Sequence, residues 1–176
     1  MANKSCCFEG NFSYDNLEEI TVKPKKEIKN VIKKFEVTEF YVSAESDFDR
    51  LCLDCLEEIK VENSDIRLCL VLTELLSKSE FSEAFLEIFD EKKHLNFEKI
   101  SPQFMKLSTF NWLIDNSNYL ISVKEGNEKQ APEVIIRDLS NKDLLFFTVR
   151  LKMLRIKSGL SQSELAKVIN VSPSTI

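Results

Sequence analysis

Hydrophobic residues recur at helical spacing through the first half of the chain. In segment 47–60 they fall at i, i+3, i+4, i+7, i+8 and i+11, which is one continuous face of a helix. The same reading predicts further helices over 23–36, 65–77 and 80–92, and a fourth from Ser101–Pro102 through Ile114. Pro24 suits the first turn of the earliest helix. Serines that are placed to cap three of the helices, each followed by acidic residues, are Ser46, Ser64 and Ser79.

Patterns typical of strands are fewer. The run EFYVSA at 39–44 predicts one short strand, and 119–123 would place Tyr119, Ile121 and Val123 on one face of a second strand. Segment 133–137 is a candidate partner for that second strand in a hairpin. The polar segment 124–132, with a glycine and a proline, is the best candidate for a domain linker. We therefore predict a mainly helical α+β protein: a body at 1–123 with a minor β-hairpin, a linker at 124–132, and a second domain at 133–176.

The composition is typical of a folded, soluble globular protein. Hydrophobic residues make up 43% of the chain and charged residues 30%, which argues against disorder. The densest apolar stretch, 66–76, is interrupted by Arg67 and Glu74 and is too short to cross a membrane. The N-terminus has no apolar core of the kind a signal peptide needs. We expect a cytoplasmic protein with no membrane contact.

Charge is distributed unevenly along the chain. The net charge is −5, yet the segment from Lys142 onward has six basic residues and two acidic ones, a net charge of +4. The first 141 residues therefore carry −9. A basic tail on an acidic body is expected when only the tail approaches a polyanion. The lysines of segment 23–36 could form a phosphate-binding patch, but without arginines or aromatic residues among them we interpret them as a solvated helix face.

Residue types that carry catalysis or bind metals are scarce. A zinc site of four thiolates is conceivable, but Cys52 and Cys55 lie on the apolar stripe of the helix at 47–60, so we interpret the cysteines as buried core residues. His94 is the only histidine, and we expect it at the surface or between helices. The sequence has no glycine-rich phosphate loop. We expect no enzyme, no cofactor and no metal.

The C-terminal segment carries a recognisable motif. A long helix over 142–158 is predicted to end at Gly159. Ser161 and Glu164 then form a capping box that opens a short helix at 162–169. Asn170 can adopt the left-handed conformation that ends this helix, and Ser172–Pro173 can start another. Short helices joined by a tight turn are the helix-turn-helix, in which the second helix enters the DNA major groove.

This segment resembles the Cro/C1-type (XRE) helix-turn-helix family of repressors and antitoxins over about 151–176. The matching residues are Leu151, Leu154, Arg155, Gly159, Leu160, Ser161, Gln162, Glu164, Leu165, Ala166, Val171, Ser172, Pro173, Ser174, Thr175 and Ile176. The resemblance implies that Gln162 contacts the phosphate backbone. It also implies that Ser172, Ser174 and Thr175 face base edges, with Pro173 as an apolar contact. Basic residues with a phosphate-binding or structural role would be Arg155, Lys157 and Lys167.

Several hypotheses about function follow from the resemblance. The first is a repressor-like regulator that binds double-stranded DNA as a homodimer, with a body that senses a small effector, dimerises or binds a partner. The second is an antitoxin-like autoregulator whose body binds a protein. The third is an interaction module that no longer binds DNA. Because the chain ends one turn into the third helix, which could not be stable alone, we expect it to be a truncated fragment.

Overall fold

The computed structural model describes residues 3–10, 17–44, 46–73, 81–97, 102–124, 133–140 and 161–168. Its contacts divide the chain into two compact units, Met1–Leu139 (unit 1) and Ser140–Ile176 (unit 2). Lys124, the first residue of the predicted linker at 124–132, is the last residue of a strand that pairs with the strand beginning at Glu133. No helix in the described part of the chain is long and apolar enough to cross a membrane.

Unit 1 is built on a six-stranded sheet in the order β4-β3-β2-β1-β5-β6. Neighbouring strands from β4 to β5 run parallel, and β6 is antiparallel to β5. The strands are β1 (Lys4–Glu9), β2 (Val37–Val42), β3 (Arg67–Thr73), β4 (Glu91–Leu95), β5 (Tyr119–Lys124) and β6 (Glu133–Asp138).

The helices of unit 1 connect strands that are added on both sides of β1. From β1 the chain steps outward through β2, β3 and β4, and then returns to place β5 on the other side of β1. This reversal beside β1 is the switch point of a doubly wound sheet. The helices are α1 (Leu17–Phe35), α2 (Asp47–Glu62), α3 (Glu83–Glu87) and α4 (Pro102–Asn116) in unit 1, and α5 (Gln162–Val168) in unit 2.

The main core lies between one face of the sheet and helices α1 and α2. Phe40 and Val42 of β2 are fully buried there. On the other face, Tyr41 meets Trp112 of α4 edge-on, with ring centroids 5.5 Å apart. Because successive strand residues point to opposite faces, α4 covers the face opposite to α1 and α2.

The prediction of a mainly helical fold with a minor hairpin is wrong, because unit 1 is an α/β domain. The largest error concerns segment 65–77, where Arg67–Thr73 is the strand β3 and Ser64 caps no helix. Every residue of β3 after Arg67 is buried. A strand that is covered on both faces reads as a continuous apolar run, without the alternation that marks a half-exposed strand.

Two further strands were not predicted. The helix expected over 80–92 is the short α3, capped by Ser82 instead, followed by β4. Ser79 lies outside the described residues. The first strand, β1, contains Cys6 and Cys7, which are fully buried between β2 and β5.

Elements with a strong local pattern are confirmed. Helix α2 begins at Asp47, where the backbone N–H of Asp49 donates to the Ser46 hydroxyl at 3.0 Å. Helix α4 begins at Pro102, and β5 and β6 form the expected antiparallel pair. Helix α1 begins earlier than expected, so Pro24 lies inside it and not in its first turn.

All five cysteines are free and buried, as expected of core residues. Burial raises the pKa of Cys7 to about 12 and that of Cys55 to about 11, and it raises that of Cys52 well above its ordinary value. Because metals bind thiolates, burial opposes the protonation state that a zinc site would need.

Candidate nucleic-acid interface

Helix α5 of unit 2 opens with the capping box that the sequence predicts. The backbone N–H of Glu164 donates to the Ser161 hydroxyl at 3.2 Å, and the backbone N–H of Ser161 donates to the Glu164 carboxylate at 2.7 Å. The N–H of Leu165 donates to the Ser161 carbonyl at 3.0 Å. Two amides that have no partner inside the helix are thereby satisfied, which fixes the first turn of α5.

The capping box also affects the ionisation of Glu164. Hydrogen bonds from the side chain and the backbone of Ser161 lower the pKa of the Glu164 carboxyl. The carboxylate is therefore the form that closes the box at neutral pH. Its negative charge lies at the end of the helix where the backbone dipoles favour it.

Helix α5 has one buried side and one exposed side. Leu165 and Ala166 are buried, at 5% and 1% exposure. Ser163, Glu164 and Lys167 are exposed. A small residue at Ala166 permits the close approach that a helix-turn-helix requires where its helices cross, and its burial agrees with that prediction.

The predicted site residues fall partly within the described structure. Gln162 is the first residue of α5, and Lys167 is exposed in its last turn. The predicted helix over 142–158 lies outside the described residues. So do these predicted contact residues: Arg155, Lys157, Ser172, Pro173, Ser174 and Thr175.

A polar cluster in unit 1 was not predicted from the sequence. The Ser43 hydroxyl hydrogen-bonds to the Asp49 carboxylate, and both residues are buried, at 6% and 4% exposure. Ala44 beside them has a left-handed φ of 54°. The cluster connects the carboxyl end of β2 to the first turn of α2. Only the strand order, which the sequence pattern did not reveal, places it near the switch point.

The carboxyl end of β1 is tightly packed against the same helix. A Cβ atom added to Gly10 would lie 2.8 Å from Cδ1 of Phe48, whose side chain is fully buried. Glycine is therefore needed here to let the ring of Phe48 approach the backbone. The sequence signal was available as a glycine two residues after the short apolar run that ends at Phe8, but that run was not recognised as a strand.

Comparison with known protein families agrees with the reading of the C-terminal segment. Residues 151–176 match the family model described as Helix-turn-helix. No curated protein matches the chain. The match confirms the predicted Cro/C1-type helix-turn-helix in the segment that contains α5. It indicates a DNA-binding regulator.

Proposed function

We propose that the protein is a sequence-specific, repressor-like transcriptional regulator that acts in the cytoplasm. The observation that carries the proposal is the helix-turn-helix match at 151–176, together with the closed capping box that starts α5 within it. Unit 1 then serves as the body that controls or pairs the DNA-binding segment.

The proposed contacts divide into positioning and reading. Gln162, at the start of α5, contacts a phosphate and sets the register of the protein on the duplex. Ser174 and Thr175, in the segment that follows, present hydroxyls to base edges in the major groove. Hydroxyl groups accept and donate hydrogen bonds, so each can read more than one base. Sequence preference then depends on two copies reading two half-sites.

Charge supports the same division. The chain is basic from Lys142 onward and acidic before it, and Lys167 is exposed on α5. Each phosphate that a lysine neutralises releases counterions, so binding should weaken steeply as salt increases. The acidic unit 1 would be repelled by the duplex, which favours an orientation with the C-terminal segment toward DNA.

A salt titration of the protein on specific and random duplexes tests the proposal. We expect Gln162→Ala to weaken both duplexes alike, and Lys167→Glu to weaken both and lower the salt slope by about 1. Ser174→Ala and Thr175→Ala should change discrimination at particular base pairs by about 1–3 kcal/mol. Lys92→Glu is the matched control, because it makes the same charge change at an exposed position of β4 in unit 1.

The alternatives predict other outcomes. Binding that is equally weak for the wild type and all variants would favour the interaction module. An antitoxin-like autoregulator would bind DNA but would also form a complex with the product of a neighbouring small gene. Uniform loss of affinity in Ser174→Ala, with no change in base preference, would contradict its assignment as a base reader.

A further inference from the structure

Strand β6 forms one end of the sheet. It pairs with β5 on one side, and no strand in the described part of the chain pairs with its other side. Its central residues, Val134, Ile135 and Ile136, are half-buried, and charged residues lie on either side of them. An open edge with an apolar centre presents backbone donors and acceptors to any strand of matching pattern.

The hydrogen bonding of β6 shows which backbone groups face outward. The N–H of Leu139 donates to the carbonyl of Asn118 at 2.9 Å, and these two residues continue the register in which Asp138 faces Tyr119. Residues of an antiparallel strand point alternately toward and away from their neighbour. Arg137, Ile135 and Glu133 therefore point their backbone groups toward β5, and Val134 and Ile136 point theirs outward.

We propose that two copies of this chain pair through their β6 edges, antiparallel and centred on Ile135. In this register Val134 faces Ile136 of the second copy, and both use outward backbone groups. Glu133 faces the oppositely charged Arg137 of the second copy, and by symmetry this pair occurs twice. A register shifted by one residue would oppose Val134 to Arg137, whose backbone groups already point toward β5.

The other end of the sheet does not offer the same match. Strand β4 has lysines at its centre, and an antiparallel pairing centred on Lys93 would oppose that lysine to its own copy. The same pairing would set Lys92 against His94. Lysines on an edge strand are a common protection against strand addition. The charge pattern therefore assigns the contact to β6.

The inference rests on the proposed function in one respect, since it supplies the dimer that reading two half-sites requires. Leu139, where unit 1 ends, is four residues beyond Ile135. The two Leu139 residues of such a dimer would be about 27 Å apart along the strands, at about 3.4 Å a residue. Half-sites separated by one turn of DNA are about 34 Å apart.

Sedimentation equilibrium of the full chain without DNA tests the contact. We expect a reversible dimer. Arg137→Glu should raise its dissociation constant about 10-fold or more, because like charges then face each other twice. Glu133→Arg should do the same. The double variant, Glu133→Arg with Arg137→Glu, should restore the wild-type constant. Lys92→Glu on β4 is the control and should leave the constant unchanged.

A covalent test checks the register. Ile135→Cys should form a disulfide dimer under mild oxidation with diamide, because this residue faces its own copy. Arg137→Cys should not form one, because residue 137 of one copy faces residue 133 of the second copy and not its residue 137. A monomer at all micromolar concentrations, or a dimer that is insensitive to the charge changes, would overturn the inference. A dimer that depends on β6 but binds no DNA would refute the proposed function and leave this inference standing.

Discussion

Replacing Gly10 by alanine should destabilise unit 1 through a single contact. The new Cβ would lie 2.8 Å from Cδ1, 2.9 Å from Cγ and 3.2 Å from Cβ of Phe48. Carbon atoms in contact are about 3.5–4.0 Å apart, so the two groups must separate by more than about 0.5 Å. Phe48 is fully buried in the first turn of α2 and is part of the main core, so it has little room to move.

The size of the effect follows from this crowding. Insertion of a methyl group into a packed core costs about 1–3 kcal/mol. In a unit of this size, each kcal/mol lowers the melting temperature by roughly 2–4 °C. Where space is available, the same glycine-to-alanine change stabilises a protein by about 0.4–1 kcal/mol, because alanine restricts the unfolded chain. Whether Gly10→Ala lowers or raises the free energy of unfolding therefore depends on the crowding by Phe48.

A double-mutant cycle measures that dependence. Urea unfolding is followed by the fluorescence of Trp112, the only tryptophan, which lies in α4 and so reports on unit 1. Gly10→Ala should lower the free energy of unfolding in the wild-type background and should cost much less in a Phe48→Ala background, where only the 3.2 Å approach to Cβ of residue 48 remains. An equal loss in both backgrounds would refute the proposed contact between the end of β1 and α2.

Three further predictions concern other parts of the chain. Cys52→Ala should lower the stability of unit 1 by roughly 1 kcal/mol through a small cavity. Elemental analysis should find no stoichiometric zinc in the protein, and zinc that is lost in Cys52→Ser would contradict the interpretation of a core thiol. Burial raises the pKa of Asp90, but hydrogen bonds from Lys60 at 2.6 Å and from the N–H of Leu68 at 2.7 Å outweigh it and lower the pKa overall. Asp90→Asn should therefore cost about 0.5–1.5 kcal/mol at neutral pH, at the lower end because the carboxylate is partly exposed, and the loss should shrink as pH falls below 3.8 in urea titrations. Ser161→Ala should cost α5 about 1 kcal/mol, seen as faster amide exchange at Glu164, whereas unchanged protection would contradict the capping box.

The sequence predicted those elements whose signal is local. Helix α2 has a complete apolar stripe and a serine cap, and β5 has Tyr119, Ile121 and Val123 at alternate positions. The capping box of α5 needs only Ser161 and Glu164, and both hydrogen bonds are present. Such patterns depend on neighbours within a few residues, so a single sequence is enough to recognise them.

The parallel strands were missed because their signal is not local. β3 is apolar on both faces and resembles a buried helix until its neighbours β2 and β4 are known. β4 alternates half-buried Glu91 and Lys93 with exposed Lys92 and His94, so its pattern lacks hydrophobic contrast. The cluster of Ser43 and Asp49 could not be recognised without the strand order. The base-reading residues, in contrast, follow from the family resemblance alone.

Selection of bound sequences from a pool of randomised duplexes tests the central claim most directly. The protein should enrich an inverted repeat with half-sites about 10 base pairs apart, and methylation of guanine N7 in the major groove should interfere with binding. A variant that combines Gln162→Ala, Ser174→Ala and Thr175→Ala should enrich no such motif. If the wild-type protein enriches nothing beyond what this variant enriches, the protein does not read DNA through its helix-turn-helix.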